Sequence, residues 1–232
     1  MIERYTITSS AEEIAERFNI EVDEFYLPSY NAAPTQKLPV IVDSAAGGLS
    51  YLHWGVNTNW SNNKSISTKL ISAHTNDLFT KTSLTNNLKA KRCLIPITGF
   101  YLWKQVGKKS HRPYYFTKSN VPMLSIAGLW EAYDDLDGKI NHTFKMITLA
   151  NDIQESGFGK ELPFILNPEV EKKWLASDFD CKSIDELLDF RLKTDYLYHI
   201  VAPHINDIKI NSPKLIEPQP PIDQLGNFTL FE

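Results

Sequence analysis

The chain contains few cysteines and no long hydrophobic run. Its 232 residues include only two cysteines, Cys93 and Cys181, too few for a disulfide framework or a CxxC metal site. No spacing of histidine, cysteine and carboxylate residues indicates a metal site or a cofactor. No apolar run reaches the roughly 20 residues that cross a bilayer. Glu3 and polar residues stand where a signal peptide needs basic and apolar segments. We therefore expect a cytoplasmic protein with no membrane partner.

An excess of basic charge is also missing. The 24 Lys and Arg are outnumbered by 28 Asp and Glu, giving a net charge of −4. This balance argues against a broadly basic nucleic-acid-binding surface. The net charge does not exclude a small basic groove, because binding depends on the local arrangement of charges. Length and composition fit one globular domain, which we place at residues 1–218, with a proline-containing tail at 219–232.

Strand signals outnumber helix signals along the chain. Three helices are predicted from capping residues and apolar spacing, beginning after Ser9 or Ser10, after Asn167 and after Ser183. Short β-rich segments separated by turn residues predict strands; these are 38–42, 49–54, 92–97, 100–103, 114–117, 123–133 and 143–149. The sequence DDLDG at 134–138 is typical of a hairpin loop. Many irregularly spaced strands argue against a βαβ array and favour a mainly β, α+β fold.

Six motifs in a fixed order carry a family resemblance. They are YNAAPTQ at 30–36, RCLIP at 92–96, GFYLW at 99–103, AGLWE at 127–131, LPFIL at 162–166 and the segment 201–206. Together they resemble the SOS response-associated peptidase (SRAP) family. The resemblance covers nearly the whole chain and implies strands curled into a partly open pseudo-barrel with a few peripheral helices. It also implies recognition of abasic sites in single-stranded DNA during the SOS response.

The family's nucleophile is missing from this sequence. The resemblance implies a cysteine directly after the initiator methionine, whose amine and thiol close a thiazolidine on the ring-opened sugar. This chain carries Ile2 there, and we expect bulky Ile2 to prevent removal of Met1. An amine alone would form only a Schiff base, which is hydrolysed unless it is trapped.

Three further family positions have lost their chemistry. Ser72 stands where the resemblance implies an asparagine that orients the sugar. Leu102 replaces a glutamate that shuttles protons, and leucine transfers none. Gly159 replaces a general acid or base histidine, and the neighbouring arginine has become Glu161. Loss of one acid or base alone commonly costs about 10²–10⁴ in rate, so we interpret the chain as a degenerate member.

Several residues remain candidates for nucleic-acid binding. Arg4 matches a family arginine and could pair with phosphate, or could form a structural ion pair. Trp60, in the polar stretch 57–69 predicted to be a surface loop, could stack on bases, whereas Trp54 is expected in the core. His74 replaces a phosphate-binding arginine or is an ordinary surface side chain. The other two candidates are Asn31, more simply a turn residue, and His204, expected to pack near the pocket.

Two functions from different classes follow from this pattern. One is a non-catalytic module that binds single-stranded DNA or a protein partner. The other is residual crosslinking or peptidase activity through the Met1 amine, with Glu3 or His204 handling protons. Binding of a different small ligand at the position of the family's active site is a third alternative. The tail, ending in FTLF at 228–231, either docks on the body of the protein or engages a partner such as a sliding clamp.

Overall fold

A computed structural model describes residues 3–42, 47–60, 70–151, 157–178 and 196–220 of the chain. The helix predicted after Ser183, Cys181, and the tail beyond residue 220 lie outside the described residues, as do Met1 and Ile2. Among the helices that are described, none combines the length and the apolar character needed to cross a membrane.

Two predicted helices are confirmed together with their caps. Helix α1 (Ala11–Phe18) begins after Ser10, whose hydroxyl accepts a hydrogen bond from the Glu13 amide while the Glu13 carboxylate accepts one from the Ser10 amide. This reciprocal capping box satisfies two amides that the helix itself leaves unpaired. A later helix, Pro168–Leu175, begins after Asn167, whose side chain caps it, and Trp174 is fully buried as expected.

The first sheet contains five strands. They are β1 (Tyr5–Ile7), β2 (Ser29–Ala32), β7 (Gly99–Gln105), β8 (His111–Lys118) and β13 (Tyr196–Ile200), in the spatial order β13-β8-β7-β1-β2. All neighbouring pairs are antiparallel. The edge strands of this sheet, β2 and β13, do not pair with each other in the described part of the chain, so the strands stay open rather than closing into a barrel.

The second sheet contains eight strands arranged around a long hairpin. They are β3 (Lys37–Val40), β4 (Ser50–Trp54), β5 (Ser72–His74), β6 (Arg92–Ile97), β9 (Leu124–Asp134), β10 (Ile140–Ala150), β11 (Glu161–Pro163) and β12 (Ile165–Leu166). The β9–β10 hairpin turns at residues 135–139, as the DDLDG sequence predicts. Strand β10 pairs with β4 and β5 in parallel and with β11 in antiparallel orientation.

The main core lies between the two sheets. Alternation along β7 sends Phe100 and Leu102 into this core, whereas Tyr101 packs on the opposite face of the sheet in a smaller cluster with Tyr115 and Ile205. Trp54 is fully buried in the main core, and its indole N–H donates to the carbonyl of Ile71 at 2.9 Å. The mainly β, α+β prediction is therefore confirmed.

Strands β1, β2, β5, β11, β12 and β13 and one helix were not predicted from the sequence, and two of these elements show why. Helix α2 (Thr82–Ala90) lacks a side-chain cap at Lys81 and contacts the core only through Leu84, Asn87 and Leu88. Its sequence, TSLTNNLKA, is polar and rich in residues that do not favour helix interiors. Strand β5 has only three residues. Both elements depend on the tertiary contacts that β6, β9 and β10 supply.

We expect the substitution Tyr5→Phe to stabilise the protein. Tyr5 is fully buried, its hydroxyl has no hydrogen-bond partner among the described residues, and burial raises the pKa of this phenol. Removing a buried, unpaired hydroxyl should raise the free energy of unfolding by about 1 kcal/mol. Urea denaturation measures this change.

The matched control is Tyr26→Phe, because the Tyr26 hydroxyl donates to the carbonyl of Ser9 at 2.8 Å. That variant should lose about 1 kcal/mol. A clear loss of stability in Tyr5→Phe as well would show that the Tyr5 hydroxyl is satisfied by an enclosed water.

Candidate active and nucleic-acid-binding site

On the second sheet, the positions where the sequence departs from what the resemblance implies lie on both sides of strand β10. In the parallel pairing, Ser72 lies beside Met146 and His74 beside Thr148. On the other side, the antiparallel strand β11 places Pro163 beside Thr148 and Glu161 beside Ala150. Gly159 lies next to the end of β10, because the Asn151 amide side chain donates to the Gly159 carbonyl.

The degenerate position on the first sheet, Leu102, lies at the centre of β7. The chain just before β1 runs alongside it, since the Tyr101 amide donates to the Arg4 carbonyl at 3.1 Å. The pairing of β1 with β7 thus brings residue 4 close to position 102. Arg4 keeps the residue that the resemblance implies, and its backbone lies beside that of Tyr101, the residue before Leu102.

The loop at 157–160 joins the two halves of the site. The Gln105 amide at the end of β7 donates to the Gly157 carbonyl at 2.8 Å, and the Asn151 amide donates to the Lys160 carbonyl at 2.9 Å. Phe158, between these anchors, packs edge-on against Tyr114 and Phe116, with ring centroids 5.2 Å from each. The loop therefore holds position 159 close to the β7–β8 hairpin.

The position of the family's glutamate is closed and apolar in this protein. Leu102 is only 2% exposed and belongs to the main core, and it lies opposite Tyr114 in the strand pairing. No side chain at this position can accept or donate a proton. Cys93 does not replace the missing nucleophile, because it is fully buried and burial raises the pKa of its thiol, which keeps it in the unreactive protonated form.

Arg4 keeps a guanidinium at the edge of the site. One of its terminal nitrogens donates to the Glu3 carbonyl at 2.7 Å, while the buried Nε has no partner among the described residues. Partial burial lowers the pKa of Arg4, an effect that Glu3 partly offsets. Within the described chain no carboxylate lies within ion-pair distance of Arg4, so the structural ion pair is not observed.

His74 and Glu161 place an imidazole and a carboxylate near the end of strand β10. The half-buried His74 accepts a hydrogen bond at Nδ1 from the Asn76 amide at 3.2 Å. When the ring is neutral and Nδ1 accepts this hydrogen bond, the ring proton is on Nε2, which could donate to a phosphate. The Glu161 carboxylate accepts a hydrogen bond from the buried Thr148 hydroxyl at 3.0 Å. It fixes a negative charge where the resemblance implies an arginine.

Trp60 lies away from these residues. Its indole ring contacts the His53 ring edge-on at 4.7 Å and stacks near Tyr133 at 6.4 Å. His53 pairs with Thr143 on β10, whereas His74 pairs with Thr148. Five residues of strand separate the two levels by about 17 Å. Trp60 is half-buried, and residues 61–69 of the predicted surface loop lie outside the described residues.

Asn31 and His204 do not lie at the Leu102 site. Asn31 is buried, and its amide nitrogen donates to the carbonyls of Ile205, Asp207 and Ile210. It lies in strand β2 and not in the predicted turn, and these hydrogen bonds give it a structural role. His204 was expected near the pocket, but it is exposed on a short 3₁₀ turn, Pro203–Asn206. That turn packs on the opposite face of the first sheet from Leu102 because Ile205 contacts the Tyr101 cluster.

An aromatic cluster beside Leu102 was not predicted from the sequence. Its members are Phe100, Tyr114, Phe116, Phe158, Tyr196 and Tyr198, with neighbouring ring centroids 4.9–6.1 Å apart. The alternation in PYYF at 113–116 and YLY at 196–198 could have indicated one aromatic face. Among the described residues, no group of three or more histidines, cysteines and carboxylates converges as metal ligands would.

Comparisons with known proteins agree with this geometry. The sequence profile of the family described as "SOS response associated peptidase (SRAP)" matches residues 1–208. Over 225 residues, covering 94% of this chain and 99% of the relative, the chain is 34% identical to the abasic site processing protein YoqW of Bacillus subtilis (strain 168). Over 233 residues, it is 25% identical to the abasic site processing protein HMCES of Rattus norvegicus, with 83% and 65% of the two chains covered.

A solved structure shows the same fold. A protein from Bacteroides thetaiotaomicron superposes with a TM-score of 0.73 at 21% identity, covering 93% of this chain and 99% of that one. The fold of this chain is therefore a known architecture.

Proposed function

This chain belongs to the SRAP family, and we propose that it binds single-stranded DNA at abasic sites without forming the covalent crosslink implied for the family. Relatives that match almost its full length are named abasic site processing proteins. The observation that carries the proposal is the burial of Leu102, at 2% exposure, at the position where the resemblance implies proton transfer. On the chain segment that pairs with β7, the half-buried Arg4 has no carboxylate partner among the described residues.

The remaining polar groups favour binding over chemistry. Arg4 offers a guanidinium, and His74 offers an imidazole N–H at the edge of β5. Both are donors suited to phosphate oxygens. A nucleophile at position 2 would find neither a carboxylate at 102 nor an imidazole at 159 to transfer its protons. The lesion would thus be held but not trapped.

We expect the purified protein to bind fluorescent single-stranded DNA more tightly when the strand contains one abasic site. Fluorescence anisotropy at low salt measures the affinity, and a denaturing gel detects covalent adducts. Wild-type protein and Ile2→Cys should both shift the anisotropy. Both should give far less denaturation-resistant adduct than a relative that has the complete set of catalytic residues, because the proton-transfer groups are absent.

Three results would contradict the proposal. Efficient crosslinking by Ile2→Cys alone would show that the rest of the pocket is still functional. A denaturation-resistant band with wild-type protein that disappears when the N-terminal amine is acetylated would instead support the amine route. Equal affinity for intact and abasic strands would remove the lesion specificity and leave only single-strand binding.

A further inference from the structure

The net charge of the chain conceals one strongly basic segment. Residues 78–130 contain no Asp or Glu but contain nine Lys and Arg, although the whole chain carries −4. This 53-residue stretch includes α2, β6, β7 and β8. Local charge of one sign attracts polyanions even when the total charge of a protein opposes them.

The β7–β8 hairpin concentrates this charge at one end of the first sheet. Lys104 lies opposite Arg112 in the strand pairing, and Gln105 lies opposite His111. Lys108 and Lys109 are exposed in the turn that connects the strands. Opposed residues of an antiparallel pair project from the same face, so Lys104 and Arg112 share a face that continues toward the two turn lysines.

The aromatic cluster continues from the same face of the hairpin. The ammonium of Lys104 lies 5.9 Å from the centre of the Tyr114 ring and 5.7 Å from that of Phe158. Tyr198 lies 6.1 Å from Tyr114 and 5.8 Å from Phe158, measured between ring centroids, and is 40% exposed. Basic side chains therefore adjoin aromatic rings along one face, where Tyr198 is exposed and Tyr114 is half-buried.

We infer that this face, which we call the hairpin surface (Lys104, Lys108, Lys109, Arg112, Tyr114 and Tyr198), is the track along which the protein binds single-stranded DNA. The inference rests on the proposed function and gives it a location. Lysine and arginine neutralise phosphates, while aromatic rings stack on bases with little dependence on sequence. The surface begins beside Leu102, so a strand bound on it passes the closed family position.

A path for the DNA across β11, instead of along β7 and β8, is less favourable for a polyanion. Glu161 replaces an arginine there and is held in place by its hydrogen bond from Thr148. A phosphate close to this carboxylate would be repelled. The exchange of a positive for a negative group at 161 and the acid-free hairpin both direct the DNA toward β7 and β8.

The charge component is tested with the double variant Lys108→Gln, Lys109→Gln. We expect its affinity for a fluorescent 12-nucleotide oligothymidylate to fall about tenfold at low salt. The slope of log affinity against log salt should become shallower by about 1.4, since each neutralised phosphate of a single strand contributes roughly 0.7. The matched control is Lys172→Gln, Lys173→Gln, which removes two equally exposed adjacent lysines on the helix Pro168–Leu175 and should change neither quantity.

The stacking component is tested with Tyr198→Leu, which keeps an apolar side chain against Phe116 and Phe158 but removes the aromatic face. Stacking of one base contributes about 1–3 kcal/mol, so the affinity should fall at least about fivefold with an unchanged salt slope. Leu197→Ala is the control, because Leu197 is exposed on the opposite face of the same strand. Urea midpoints confirm that each variant is folded.

The outcomes separate the two proposals. If wild-type protein binds the oligonucleotide but Lys108→Gln, Lys109→Gln and Tyr198→Leu bind as tightly as wild type, the hairpin surface is not the track, and the proposed function still stands. If wild-type protein does not bind single-stranded DNA with or without a lesion, the proposed function fails and the inference with it. Selective weakening by the hairpin variants alone supports both.

Discussion

The substitution Leu102→Glu, which restores the family residue at this position, should destabilise the protein instead of activating it. Leu102 is 2% exposed within the main core. The change removes buried apolar area and places a carboxyl group within the hydrophobic core. We expect the free energy of unfolding to fall by about 4 kcal/mol at pH 7. Urea denaturation followed by tryptophan fluorescence measures the loss.

The pH dependence of this variant gives an independent check. Desolvation raises the pKa of a buried carboxyl group above its unfolded value of about 4.3. The folded state then keeps its proton at pH values where the unfolded state has released it, so the stability of Leu102→Glu should fall as the pH rises above about 4.3. The isosteric variant Leu102→Gln lacks this titration and should lose a constant amount relative to wild type.

Gln105→Glu is the matched control, because Gln105 is exposed on the same strand and a surface carboxylate should change the stability by less than about 0.5 kcal/mol. If Leu102→Glu were as stable as this control, the site would be open to solvent. If the double variant Ile2→Cys, Leu102→Glu then crosslinked abasic DNA efficiently, the interpretation of a closed pocket would be wrong.

Much of the fold was predictable because its signals are local. The capping box at Ser10 and the Asn167-Pro168 start each occupy a few adjacent residues, and the structure confirms both. The hairpin between β9 and β10 is specified by a short turn sequence between two long apolar segments. Helix α2 and strand β5 were missed because their sequences are weak on their own and depend on contacts from distant strands.

The candidate site was less predictable because it depends on which face of a sheet each residue occupies. The sequence aligns Leu102 with a family glutamate, but only the pairing with β8 shows that the position is enclosed beside Tyr114. His204 precedes a family motif in the sequence, yet it lies across the sheet from Leu102. The total charge of −4 likewise concealed the basic hairpin, since a sum over the chain contains no information about position.

Positions 102 and 159 differ in the same way from what the resemblance implies, because neither carries a polar side chain. Leu102 and Gly159 lack the polar groups that the resemblance implies at these positions, and Phe158 packs against its aromatic neighbours there. A single polar residue introduced at position 102 would therefore be surrounded by apolar side chains of the main core. This apolar environment is the reason that we expect neither Ile2→Cys nor Leu102→Glu to recover activity alone.

The substitution with the largest expected effect on the scaffold is Arg92→Leu. Arg92 is 6% exposed, and its guanidinium donates to the carbonyls of Leu88 and Lys89 at the end of α2 at 2.7 and 2.6 Å. It also donates to the Trp174 carbonyl at 2.6 Å and to the Ala176 carbonyl, at the end of the helix Pro168–Leu175. One cation thus caps the negative ends of two helices.

Leucine would leave these buried carbonyls without their donors, and each unsatisfied group costs about 1–3 kcal/mol. We expect a loss of at least about 4 kcal/mol, equivalent to a fall in melting temperature of roughly 8–16 °C for a chain of this size. Arg92→Lys keeps the charge but offers three donors in place of five, and should lose less. A melting temperature for Arg92→Leu within about 3 °C of wild type would show that the two helix ends are satisfied without this side chain.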